Sequence, residues 1–148
     1  MAQEPESRHA LASYQWLVFA IGVIYLTIGV AGFFVTSPAG FASRFTSQDL
    51  FGLAVNPLFK IAHLSTGFLG VIVWSSPGGA RAFGWVTTVG YGAMFGYGIF
   101  LLNSSGISDI NVNRASNWLH ALSIVAGLAA ALWPDRRNVT SPGRRHAS

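Results

Sequence analysis

The chain has no cysteine. This excludes disulfides, thiolate metal sites and cysteine nucleophiles, and thiols say nothing about redox compartment. Charge is scarce too: Asp, Glu, Lys and Arg make up 9% of 148 residues, against about 25% in an ordinary soluble domain. No carboxylate lies within any of the long apolar runs. Paired carboxylates, a nucleophile–base arrangement and a phosphate-cradling glycine loop are all missing. With no enzyme constellation in view, a non-enzymatic role is the expectation, and no metal or other cofactor is expected.

What is present is apolar. Hydrophobic residues reach 51% and aromatics 14%, the composition of a membrane protein. The net charge is +4. In a soluble chain that excess could serve nucleic acid. Here the basic residues cluster near the ends of apolar runs, which is the signature of membrane topology instead. The expected partners are the lipid bilayer and other membrane proteins or further copies of the chain, not nucleic acid.

Residues 1–13 are polar and read as a flexible tail. No Asp, Glu, Lys or Arg occurs between Arg8 and Arg44, and Trp16 to Val35 is a continuous apolar run. Twenty residues at ~1.5 Å rise span the roughly 30 Å hydrocarbon layer. A cleaved signal peptide is the competing reading, but its apolar core is normally only about 7–15 residues. Further spans are expected at about 57–74, 83–102 and 117–133. They are separated by "TSPAG", "SSPGGA" and "NSSGISDINVN", and Pro134 follows the last. Backbone amides in hydrocarbon must bond within their own segment, so the spans read as helices. The expected fold is all-α, a four-helix transmembrane bundle over 14–134 with a basic tail at 135–148.

An even number of spans puts both termini on one side. That side holds Arg8, Arg81, Arg136, Arg137, Arg144 and Arg145; the other holds Arg44 and Arg114, with Lys60 near its boundary. The positive-inside rule makes both termini cytoplasmic, in a multi-pass protein of the inner (plasma) membrane. Trp16, Trp74, Trp85 and Trp133 fall at inner span ends and Trp118 at an outer end, as indole rings prefer. "NSS" at Asn103 and "NVT" at Asn138 fit the glycosylation acceptor pattern. Such short matches are common by chance, and Asn138 falls on the inner side.

Polar residues in the spans are not scattered. Asn56, Lys60, His63, Gly67, Gly70 and Trp74 step by three or four and share one helix face. Ile61, Leu64, Phe68, Val71 and Ile72 point elsewhere, towards lipid. The fourth span repeats the pattern with Asn113, Asn117, His120, Ile124, Gly127 and Ala131. The shared Asn-x6-His-x6-Gly spacing is offset by 57 residues, which reads either as a duplicated hairpin or as coincidence. Both helices enter from the outer side. His63 then lies roughly 9 Å in and His120 roughly 5 Å in. Lys60 is shallower, and its stem can lift the ammonium to the interface. Asn56, Lys60, His63, Asn117 and His120 therefore form a candidate polar cluster in the outer half of the membrane.

Three uses of that cluster stay open: an interhelical hydrogen bond joining the second and fourth helices, a pocket for a small solute, lipid or quinone, and a bis-histidine haem or metal site. Close packing is expected at Gly67, Gly70 and Gly127, and at the GxxxG pair Gly92 and Gly96. The 103–116 loop, with Asp109, Asn111, Asn113 and Arg114, is a candidate polar lid. Asn113 or Ser116 is placed to cap the fourth helix.

The segments "GVIYLTIGVAGFFV", "NPLFKIAHLSTGFLGV" and "NVNRASNWLHALSIVAG" resemble a bacterial four-helix membrane family, domain of unknown function 4383. The resemblance covers roughly residues 14–133. It implies an integral membrane protein and no known activity, with Asn56, His63, Asn117 and His120 in the family's polar signature. The chain departs from that signature at Phe59 and Lys60, where the family often has histidine and asparagine, and at Ser116, often aspartate. A ligand set drawn from all those groups is incomplete here.

Overall fold

The structure is a computed structural model that describes residues 11–35, 49–54, 57–103 and 112–134. Asn56, Arg44, Asp109, Asn111, the tail up to residue 10 and the basic tail at 135–148 lie outside the described residues. The fold is all-α. Its helices are α1 (Ser13–Val35), α2 (Pro57–Val73), α3 (Pro77–Asn103) and α4 (Arg114–Leu132). Between α1 and α2 lies a two-residue antiparallel ladder, β1 (Asp49–Leu50) on β2 (Leu53–Ala54), which the sequence reading did not foresee.

Each apolar run becomes a helix, and several of the ends are capped by side chains. At α1 the Ala12 amide donates to Gln15 Oε1 (2.8 Å). At α4 Asn113 is the N-cap, accepting from the Ser116 amide at 2.8 Å. The third helix starts at Pro77, six residues before the expected 83. "SSPGGA" was expected to be a loop, but proline suits the first helical position, where its missing N–H has no partner to lose. Ser76 caps that end, taking the Gly79 amide on Oγ (3.3 Å).

Three helices, α1, α3 and α4, are long and apolar enough to cross a membrane; α2 is shorter, at 17 residues. The surface and the interior are reversed relative to a soluble protein. Ile24, Phe34, Phe68, Val86, Val89, Phe100, Leu122 and Val125 are exposed, while Gln15, Thr87, Asn117, His120 and Ser123 are buried. A continuous apolar exterior of this extent is unstable in water and suits hydrocarbon.

The closest packing is α1 on α2 and α3 on α4. Both pairs cross at glycines. A Cβ on Gly22 would lie 2.8 Å from the Val71 nitrogen, and one on Gly70 would lie 2.8 Å from Gly22 Cα. A Cβ on Gly84 would meet Gly127 O at 2.6 Å, and one on Gly127 would meet Gly84 O at 2.7 Å. Gly29 and Gly67 serve the first pair in the same way, against Leu64 and Leu26. Leu64 and Val71, expected to face lipid, are half-buried for this reason. Ile61, Phe68 and Ile72 do face outwards.

Gly92 and Gly96 are a correction. Among the described residues neither would bring a Cβ within 4 Å of a neighbour, so neither marks a close helix crossing there. A GxxxG spacing says that two glycines share a face, not which face turns inwards.

The second correction concerns α2 and α4. Among the described residues no Cα of one comes within 8 Å of a Cα of the other. They lie diagonally, with α1 and α3 between them, and meet through side chains, Phe59 of α2 lying edge-on to His120 of α4.

At the end where α1 begins and α4 finishes, Arg81 donates to Ala131 O (2.7 Å) and Trp133 O (2.8 Å). It thereby satisfies terminal carbonyls of α4 and opposes the negative end of its dipole. Its guanidinium also lies 4.8 Å from the Tyr14 ring centroid. Trp16 and Trp74 pack at 5.0 Å at that same end. At the opposite end the ladder turns through Phe51 (φ 54°) and Gly52 (φ 81°), the left-handed pair that a two-residue hairpin requires. Asn113 Nδ2 donates to Gly52 O at 2.7 Å and pins the ladder to α4.

The glycine crossings give a direct test. Gly22→Leu or Gly84→Leu forces two backbones apart, and a loss of about 1–3 kcal/mol is expected from overpacking. Gly96→Ala gains roughly 1 kcal/mol of helix propensity at no steric cost. Thermal unfolding in detergent, followed by tryptophan fluorescence, should order the variants that way.

Candidate functional site

The cluster forms where α2 and α4 begin. His63 on α2 and His120 on α4 are 7% and 0% exposed. They do not bond to each other. Phe59 and Tyr91 lie against both of them: Tyr91 is 6.2 Å from His63, nearly parallel, and 5.6 Å from His120. Phe59 is 6.3 Å from His63 and edge-on to His120 at 5.2 Å. Tyr25 closes the group, 5.1 Å from His63 and 5.2 Å from Tyr91. All four helices thus contribute a ring.

Two tyrosine hydroxyls stitch the helix pairs together. Tyr25 on α1 donates to Ser123 Oγ on α4, whose own proton goes to Leu119 O at 2.6 Å. Tyr91 on α3 donates to Thr66 Oγ1 on α2 at 3.2 Å. Thr66 is three residues past His63, and Ser123 three past His120. The first half therefore bonds to the second as the second does to the first. The likeness is one of contacts: Tyr25 and Tyr91 are 66 residues apart and Gly22 and Gly84 are 62 apart, not the 57 that separate His63 from His120.

The cluster residues do not all converge. Asn117 is buried with its carboxamide against Gly98 of α3, where a Cβ would collide with Asn117 Oδ1. Lys60 is on the other flank, and it does not rise to the interface as expected: it is 2% exposed, with Nζ 5.4 Å from the Phe33 ring centroid. The reason is the ladder, whose Leu50 and Leu53 share a cleft with Lys60 and His63. The cover thus comes from the α1–α2 connection. Of the expected 103–116 lid, residues 104–111 lie outside the described residues, as does Asn56.

Among the described residues, four polar atoms in this region are buried with no hydrogen-bond partner: His63 Nε2, Asn117 Oδ1, His120 Nδ1 and His120 Nε2. Each such atom costs about 1–3 kcal/mol in desolvation. A cluster serving as interhelical glue would have spent these atoms on bonds. Tyr25 and Tyr91 do that work instead, and they went unnoticed when aromatic side chains were counted as apolar. Their signal was a hydroxyl in the middle of a span, which needs a partner there. Phe59, Lys60 and Ser116 are all buried. Among the described residues no group of three or more His, Cys, Asp or Glu is placed to hold a metal ion.

The chain belongs to the family described as Domain of unknown function (DUF4383), whose model matches residues 15–133. The match takes in all four helices. No curated protein and no solved structure matches the chain.

The tyrosine bonds can be weighed by a double-mutant cycle. Tyr25→Phe and Ser123→Ala, singly and together, should give a coupling near 0.6 kcal/mol and no more than about 1.7 kcal/mol, the range for hydrogen bonds between membrane helices. Unfolding in mixed micelles measures it.

Proposed function

We propose that the protein is a non-enzymatic, multi-pass protein of the plasma membrane that binds a small molecule (a solute, lipid or quinone) at its buried polar centre. The observation that carries this reading is the set of unpartnered atoms on His63, Asn117 and His120. Buried polar groups are normally hydrogen-bonded, and clusters of exceptions call for a bound group or ordered water. A small, partly open cleft between α1, α2 and the ladder borders His63. A haem between the two histidines fits less well, because the Phe59 and Tyr91 rings pack against both imidazoles.

The second reading is a scaffold that binds another membrane protein or a second copy. The open Gly92 and Gly96 on α3 favour it, since a glycine face admits a close helix neighbour.

Gentle extraction followed by mass spectrometry of small molecules tests the first reading. A bound compound should accompany the native chain and be lost from His120→Leu and Asn117→Leu. Freed of ligand, those variants should be as stable as the native chain or more so, because an unpaired buried polar group has been removed. A structural role for the cluster predicts the reverse: nothing bound, and variants that melt earlier. A Soret band in the purified protein would instead establish haem.

Orientation follows from charge. Arg81 lies at the same end as the start of α1 and the finish of α4, and basic ends face the cytoplasm. The chain has no cysteine to remove, so single probes are clean. In intact cells an impermeant maleimide should label Phe51→Cys, and should label Ser75→Cys only after lysis.

A further inference from the structure

Five polar or glycine positions of α2 and its approach can be set against positions of α4 and its approach. Counting 57 residues on from Asn56, Lys60, His63, Thr66 and Gly70 gives Asn113, Asn117, His120, Ser123 and Gly127. Every pair is identical or chemically alike but one: Lys60 stands where the second half has Asn117. The surroundings diverge as well. Asn117 is shut against Gly98 of α3. Lys60 instead lines an open cleft with Gly32 of α1 in its wall. This is the chain's only lysine.

The cleft has a consistent chemistry. Ile28, Leu50, Leu53 and Phe59 make its walls apolar, and Lys60 and His63 supply its polar groups. His63 Nε2 is buried without a hydrogen-bond partner. Among the described residues no acidic side chain is in the lining. Outside it, Phe33 and Ile61 are exposed on the flanks of α1 and α2, on the apolar exterior that suits lipid. An ammonium and an imidazole in a cleft of otherwise apolar lining, with exposed apolar side chains beside it, match a molecule with one acidic head and a long apolar tail.

We propose that the cleft between α1, α2 and the β1–β2 ladder binds the acidic head group of a single-chain anionic amphiphile. Lys60 and His63 hold the carboxylate or phosphate, and the acyl chain runs out past Phe33 and Ile61. A charge-assisted hydrogen bond from an ammonium is about twice as strong as a neutral one and gains further in a low-dielectric site. Neutral esters of the same chain bind correspondingly less well. The inference rests on the small-molecule reading above and names the class of ligand.

Binding of radiolabelled oleate, oleoyl lysophosphatidate, methyl oleate and a neutral quinone to the full chain in detergent tests it. Both acidic compounds should bind at least about tenfold more tightly than methyl oleate, a difference of roughly 1.4 kcal/mol. The tighter of the two identifies the head group. Lys60→Met, which keeps the stem and removes the charge, should bring that ratio to about one; Lys60→Arg should preserve it. Ile28→Trp, which fills the cleft without touching Lys60, should remove oleate binding and so covers the case in which Lys60→Met fails to fold. Equal binding of oleate and methyl oleate, or an unchanged ratio in Lys60→Met, overturns the anionic preference while leaving the small-molecule reading intact. If none of the four compounds binds, both fall.

Discussion

The structure depends on how closely helix backbones approach each other in a medium that gives no hydrophobic drive for helices to associate. Lipid tails are as apolar as leucine, so helices gain from meeting only through dispersion contacts and occasional hydrogen bonds. Gly22 against Gly70, and Gly84 against Gly127, set both pairs at distances that no side chain permits. Rings of the size of Tyr25 and Tyr91 can reach across to the opposite pair only from such tight pairs. The polar centre is therefore a product of the glycine crossings as much as of the histidines.

Within that frame the polar groups divide into two kinds. The tyrosine, serine and threonine hydroxyls are engaged with one another and with backbone. The histidine and asparagine atoms beside them are not. Packing alone gives no reason to keep the second kind: leucine or phenylalanine would fill the same volume without a desolvation cost. Groups that destabilise a fold and yet sit at its centre are the ground for the binding proposal.

The sequence made some of this legible and hid the rest. Apolar run length located α1, α2 and α4 to within about three residues, because hydrocarbon thickness fixes the length a helix must have. Pro77 misled by being a turn residue in one context and a helix starter in another. The three-and-four stepping correctly put Lys60 and His63, and Asn117 and His120, on inward faces. It could not show that α2 and α4 stand diagonally, since face says nothing of neighbour. Nor could it show that Leu50 and Leu53 would cover Lys60, because a two-residue ladder has no periodicity to read. Gly92 and Gly96 failed for a similar reason: the motif is a property of one helix, and packing is a property of two.

The link from Tyr25 to Ser123 has a bearing on biogenesis. Its partners are 98 residues apart, and a ribosome adds about 5–20 residues per second. The first helix therefore waits roughly 5–20 seconds for the residue that will accept its phenolic proton. Over that interval the hydroxyl is left to lipid head groups or to the insertion machinery, and only emergence of the last helix retires it. The interior is thus completed only once α4 has been made, rather than assembled helix by helix along the way.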